Sequence, residues 1–369
     1  MGPLAGYKII EVSGIGPGPL AGMMLADLGA EVIRIDRFET DMPSPPANFD
    51  ITGRNKKSIR LNLKTEEGKN IFFKLIATAD ALIEGYRPGV MEKLGIGPNE
   101  CLNINKKLIF GRITGWGQDG PLSHTAGHDI NYIALVGALH AIGNKDVKPS
   151  IPLNLVGDYG GGTMFLLLGI CSGLLSVQKT GKGQIVDAAM VDGASVLMSM
   201  FYAFKASGFW LDERESNALD GAAHFYDTYE CADKKYLAVG SIEPQFYKVL
   251  LEKLEISDSK FEDQHNKKLW PELKAIIGKK IKEKTRDEWA NIFDGSDACV
   301  APVLNLSEAP KHHHMKARNS FIEVDGVTQP APAPRFSNTN PKIKHSSVKA
   351  GENNDEICAK YNLDRSCFS

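Results

Sequence analysis

Three stretches of this chain gather residue types that can move protons. In the first, Gly127-His128-Asp129-Ile130-Asn131-Tyr132, a glycine delivers an imidazole and a carboxylate side by side. The apolar run 130–142 behind it reads as a helix, so both groups fall at or just before a helix N-terminus. Unpaired backbone N–H groups and the dipole favour negative charge there, which suits a proton acceptor beside a place that holds an oxyanion. Aspartate is also a favoured N-cap, and a capped helix with His128 packed in the preceding turn is the alternative reading. The second stretch, Asn154-Leu155-Val156-Gly157-Asp158 followed by Gly160, Gly161 and Gly162, again sets a carboxylate at the start of an apolar helix over 163–177. Its glycines allow either a ligand or another helix to approach the backbone closely. The third stretch places Glu243 directly ahead of Pro244, a residue suited to the first position of a helix.

The elements that must position these groups follow from periodicity. Residues 8–12 read as a strand, 14–19 as a tight glycine- and proline-bearing turn, 20–29 as a helix and 31–36 as a second strand. That is a βαβ unit, whose crossover is right-handed. It does not make a dinucleotide site with Asp36 on a ribose, because Pro17 and Pro19 remove two of the N–H donors a pyrophosphate would use. Arg37 follows the second strand, where its guanidinium can meet a phosphate, stack on a purine or simply be solvated.

Beyond a loop at 41–48, strands are expected at 58–63, 81–84, 108–113 and 184–188, with a helix from Thr65 to about 77 and another over 193–209. Strands alternating with helices predict an α/β fold: a Rossmann-like, doubly wound large domain over 1–210, completed by about 325–369. Its ligand crevice would lie at the carboxyl ends of the strands, where the loops after Val12, Glu84 and Ile113 emerge. A charged stretch at 212–220 opens a linker and a smaller α+β domain over 211–324. That domain reads as a hairpin (228–230 and 235–240) and helices at 270–282 and 285–293, the second opened by a capping box at Thr285 and Glu288. The proline-rich 328–334 reads as a crossing between domains, and 355–361 as a short helix.

Composition narrows the function classes. Of 369 residues 43% are hydrophobic and 24% charged, and the formal net charge is -2, so there is no electrostatic case for nucleic acid or an anionic membrane surface. Six scattered cysteines without a C-x-x-C pair argue for free thiols in a reducing, intracellular compartment rather than disulfides or zinc. The consecutive His312, His313 and His314 cannot all face one ion, so no metal site is expected. No apolar run is read as a membrane span, the longest, 164–177, being a buried helix. The N-terminus lacks a secretory pattern, and the last residues do not match a Ser-Lys-Leu address.

Taken together, Gly127-His128-Asp129-Ile130-Asn131-Tyr132, Asn154-Leu155-x-Gly157-Asp158, Gly240-x-Ile242-Glu243-Pro244-Gln245-Phe246-Tyr247 and the opening Gly16-Pro17-Gly18-Pro19 resemble the α-methylacyl-CoA racemase family of the class III CoA-transferase superfamily. The likeness runs from about residue 8 to 336 with the motifs in order. It implies a cofactor-independent racemase of branched-chain fatty acyl-CoA metabolism, acting on the α-carbon of a 2-methyl-branched acyl-CoA, with CoA as part of the substrate. It implies His128 and Asp158 as the two bases, the Asp129 N–H as an enolate donor, Asn154 as a hydrogen-bond partner of Asp158 and Glu243 as the group that orients His128. CoA would contact Arg37, Leu61, Asn62, Leu63, Lys64, Gly85, Tyr86, Arg87, Lys93, Gly127, His128, Asp129, Ile130, Asn131 and Tyr132. Relatives of this type often carry arginine where this chain has Lys93, a change that keeps a phosphate contact and loses bidentate geometry. The resemblance further implies an interlocked homodimer, with Glu243 reaching His128 across the subunit boundary, and a mitochondrial or peroxisomal location as in animal relatives. Two rivals stand beside it: a CoA-transferase with Asp129 as the nucleophile, and a non-catalytic CoA-binding homologue. Transferases of the superfamily commonly carry a different aromatic residue where this chain has His128.

Overall fold

The structure, a computed structural model, describes residues 2–38, 46–363 and 365–368; positions 41–45 of the loop expected at 41–48 lie outside them. The chain forms two compact units: Met1–Val136, Leu153–Leu197 and His313–Ser369 make the first, Gly137–Pro152 and Met198–His312 the second. The excursion 137–152 therefore groups with the second unit, an assignment that local patterning does not reveal.

The first unit is built on six parallel strands: β1 (Lys8–Val12), β2 (Glu31–Asp36), β3 (Lys56–Arg60), β4 (Ala81–Glu84), β5 (Ile109–Thr114) and β6 (Gln184–Ala189). Their order is β3-β2-β1-β4-β5-β6, so the winding reverses between β1 and β4. In such sheets the crevice for a ligand opens outside the strand ends at that reversal. Every residue of β1, β4 and β5 is buried, as expected for strands covered by helices on both faces. Helix α1 (Pro17–Asp27) begins three residues before the expected 20, because prolines in the first turn give up only N–H groups that have no intrahelical partner there. Strand β3 overlaps the expected 58–63 but starts at Lys56 and ends at Arg60; Leu61 and Leu63 continue the apolar alternation past its end and are buried in the core with Ile71 and Phe72. Helix α2 (Glu66–Ile76) is capped by Thr65, whose hydroxyl accepts from Gly68 N–H at 3.1 Å. Two short helices follow, α3 (Val90–Lys93) and α4 (Pro98–Ile104).

Three helical expectations change. The run 130–142 yields α5 (Asp129–Leu135) and then breaks at Gly137, whose φ of 79° favours glycine. The segment 155–180 is one continuous helix of 26 residues, a π-helical stretch at Leu155–Thr163 leading into α6 (Met164–Thr180). By length and a hydropathy of 1.7 it passes as a membrane span, which corrects the reading of 164–177 as the longest apolar run. Here it forms a layer of the fold: Leu166, Ile170 and Leu174 are buried on one face, and Gly169 brings the helix so close to β6 that a Cβ would stand 2.4 Å from Val186. The expected helix 193–209 is two, α7 (Met190–Leu197) and α8 (Ser199–Ala206), and only α7 belongs to the first unit.

The C-terminal part completes this unit. The hairpin Phe321–Val324 with Val327–Pro330 takes up residues 328–330 of the stretch read as a domain crossing, and its buried Gln329 accepts from Arg54 at 2.8 Å. Side chains then substitute for a neighbour on the free edge of β3. Asn353 Oδ1 accepts from Ser58 N–H at 2.9 Å, and Asn354 Oδ1 from Arg60 N–H at 3.0 Å. An edge covered in this way cannot recruit another strand.

The second unit holds an antiparallel sheet of β7 (Tyr226–Glu230), β8 (Tyr236–Gly240) and β9 (Val300–Pro302). Against it lie α9 (Pro244–Lys253), α10 (Trp270–Ile281) and α11 (Arg286–Phe293), around a core that includes Phe225, Leu250, Trp270 and Trp289. The capping box at Thr285 and Glu288 is present as expected.

Candidate active site

His128 is the N-cap of α5, and Asp129 is its first helical residue rather than its cap. Asn131 secures the turn by accepting from His128 N–H at 3.0 Å. Tyr132 donates its hydroxyl to the Gly127 carbonyl and meets Trp116 edge-on at 4.8 Å. A Cβ at Gly127 would stand 2.8 Å from the Tyr132 ring, and one at Gly115 2.1 Å from it, so both positions need glycine for steric reasons. The His128 ring is left exposed, and Asp129 N–H sits in the first turn, where no intrahelical carbonyl faces it.

The π-helical stretch carries the second carboxylate. Wider turns of this kind re-aim side chains and recur at functional sites. Asp158 lies in its first turn, half-buried, and Asn154 donates to Asp158 Oδ2 at 3.3 Å. Asp129 holds the same turn from the other side: its Oδ2 accepts from Asp158 N–H at 2.7 Å. Gly157 makes this possible, since a Cβ there would stand 2.8 Å from that oxygen. Asp129 is buried, and its other oxygen has no hydrogen-bond partner among the described residues. The glycines after Asp158 serve a helix: a Cβ on Gly161 would lie 2.6 Å from Ala194 N, and one on Gly193 1.9 Å from Gly161 O, so α7 packs there backbone to backbone.

Burial raises the Asp158 carboxyl above its ordinary range; the Asp129 charge adds to this, while Asn154 and His128 oppose it. A carboxyl raised by folding costs stability once it ionises, and the loss grows as pH climbs from about 3.9 towards the folded value. Asp158→Asn removes that cost. Its melting temperature is therefore expected to exceed that of the unaltered chain at pH 7, with the gap closing below about pH 4; calorimetry across pH reads this directly.

The other expected contacts separate by type. Arg37 follows β2 and Tyr86 follows β4, and the guanidinium stands 5.2 Å from the Tyr86 ring centroid, a cation–π pair across the sheet reversal. Asn62 and Lys64 after β3, Gly85 and Arg87 after β4, Lys93 on α3 and Ile130 on α5 are exposed. Leu61 and Leu63 are core side chains, which leaves only their backbone for a ligand and corrects any side-chain contact there. Glu243 belongs to the second unit, exposed at the N-cap of α9 with Pro244 at the first helical position. The sequence missed Trp116 and the Gly115 notch that receives Tyr132, whose only signal was the Thr114-Gly115-Trp116-Gly117 run after β5.

Comparison with known proteins places the whole chain in a family. Residues 4–354 match CoA-transferase family III, and the chain belongs to that family. It is 43% identical to mouse alpha-methylacyl-CoA racemase over 98% of its own length and 94% of the relative's. To the human protein of the same name it is 41% identical over 98% and 94%. Among solved structures, a CAIB/BAIF family protein from Brucella suis superposes with a TM-score of 0.83 at 28% identity, covering 98% of this chain and 99% of that one.

Proposed function

We infer that this chain interconverts the (R) and (S) forms of 2-methyl-branched acyl-CoA thioesters. The observation that carries the reading is the division of labour among three side chains. His128 presents an exposed imidazole, Asp158 is half-buried with its carboxyl raised by burial above its ordinary range, and Asp129 is buried with one oxygen engaged. Full-length likeness to two racemases supports the same choice. A transferase would need Asp129 free to attack a thioester, and its burial argues against that role.

Inversion proceeds by removing the α-proton on one face and delivering another on the opposite face. In one direction neutral His128 takes the proton, the negative charge passes to the thioester oxygen, and protonated Asp158 supplies a proton to the other face of the carbon. The reverse direction exchanges these duties, so each turnover leaves the pair with its protons interchanged. Asp129 N–H is the donor for the enolate oxygen, set at a helix start where negative charge is favoured. Asn154 fixes the Asp158 carboxyl, and Arg37 with Tyr86 receives the nucleotide end of CoA, which is substrate here and not a separate cofactor. Exposed leucines on α6, Leu168 and Leu175, and Ile185 on β6 support a homodimer, because apolar area of this kind on a folded chain is suited to burial against a second copy. In that assembly Glu243 of one copy orients His128 of the other.

Incubation of a (2R)-2-methylacyl-CoA in deuterated water tests the function. Racemisation with deuterium at the α-carbon is expected. Acyl transfer to an added carboxylate without racemisation would overturn it in favour of a transferase, and neither reaction would favour a binding protein.

A further inference from the structure

Beyond the site lies a charge cluster, buried at Glu84 and Arg112 and exposed at Glu92, that the reaction does not use. Glu84, the last residue of β4, is fully buried, and its Oε2 turns back to accept from Tyr86 N–H at 2.7 Å. Arg112 of β5, the register partner of Glu84, donates Nε to Glu84 Oε1 at 2.7 Å. The same guanidinium reaches Glu92 on α3, with Nη1 to Oε1 at 2.7 Å and Nη2 to Oε2 at 3.2 Å. One arginine thus ties together two strands, the loop that carries Tyr86, and the short helix that carries Lys93.

A buried ion pair is a poor source of stability, since desolvation offsets its Coulomb attraction and apolar replacements often do as well. What it does supply is direction, because a planar fork satisfies two carboxylates in a single geometry. We propose that Arg112, with Glu84 and Glu92, is a positioning cluster for CoA recognition: it fixes the Gly85-Tyr86 turn so that the Tyr86 ring stands opposite Arg37 before the nucleotide arrives. Arg112 touches no reacting atom, so its contribution lies in affinity for the nucleotide end and not in proton transfer. The inference rests on the reading that CoA binds at Arg37 and Tyr86.

Two substrates separate this role from a general one: a 2-methylacyl-CoA, and the matching acyl-pantetheine thioester, which has the reacting centre and lacks the nucleotide. Lysine at 112 can satisfy one carboxylate and not both, so Arg112→Lys is expected to raise the KM for acyl-CoA and the Kd of free CoA about tenfold while kcat stays within about twofold. Activity on the pantetheine thioester should be unchanged. Glu92→Gln, at the exposed end of the cluster, provides a second variant that keeps the fold and should shift the same parameters less. In a Tyr86→Ala background Arg112→Lys should add no further loss, because the residue it positions is gone. Equal losses on both substrates, or full additivity with Tyr86→Ala, would overturn the proposal. CoA binding by the unaltered chain without racemisation would remove the racemase reading alone, whereas no CoA binding at all would remove both.

Discussion

Replacing His128 by alanine, or Asp158 by asparagine, is expected to lower kcat/KM for racemisation by about 10²–10⁴-fold, the range associated with loss of a positioned acid or base. Both variants should keep the fold. His128 is exposed, and asparagine at 158 still accepts from Asn154 across the 3.3 Å bond. Asp129→Asn is the informative comparison. Its amide oxygen can still accept from Asp158 N–H, and its own N–H remains at the start of α5, so its loss should be far smaller. A transferase using Asp129 as nucleophile predicts the opposite ranking, with Asp129→Asn the most damaging of the three. Steady-state rates for the three variants in both directions decide between them.

The largest expected effect on stability lies beneath the first helix. Lys56 and Glu11 form an ion pair at 2.6 Å with both side chains almost wholly inaccessible. Burial raises the Glu11 carboxyl and lowers the Lys56 amine, each opposed by its partner. The ammonium also donates to the Pro19 carbonyl at 2.8 Å, and Gly22 gives the pair its room: a Cβ there would lie 1.8 Å from Glu11 Oε2. Lys56→Met strands a buried carboxylate and should cost about 3–5 kcal/mol, a large part of the roughly 5–15 kcal/mol that holds a domain together. The double variant Lys56→Met with Glu11→Leu removes both charges and should recover most of that loss. Denaturant midpoints for the two singles and the double give the coupling; a double variant no more stable than the worse single would show that the pair itself stabilises the fold.

Much of the fold is legible in the sequence because apolar strand runs and helix caps are local signals. The strands at 8–12, 31–36 and 81–84 coincide with β1, β2 and β4, and the Thr285 and Glu288 cap and the place of Pro244 are as read. What escaped depends on contacts distant in sequence. The π-helical turn around Asp158 is held by Asp129, 29 residues away, and periodicity carries no trace of such a bond. Gly137 lies inside an apolar run that reads as one helix, and only its left-handed backbone ends it. The candidate bases were visible as residue types, but which oxygen of Asp129 is engaged is a matter of the folded structure alone. The Gly160-Gly161-Gly162 run was read as open to a ligand or a helix, and the close packing of α7 decides for the helix.

The central claim is that two unlike bases face one carbon, and hydrogen exchange in the single variants tests it most directly. Each enantiomer of a 2-methylacyl-CoA is incubated separately in deuterated water with His128→Ala and with Asp158→Asn, and α-deuterium is followed without regard to inversion. With one base gone, the remaining one still faces a single side of the carbon. Each variant should therefore exchange one enantiomer slowly and leave the other untouched, the two variants having opposite preferences. Exchange of the same enantiomer by both variants, or of both enantiomers by either, would contradict the account.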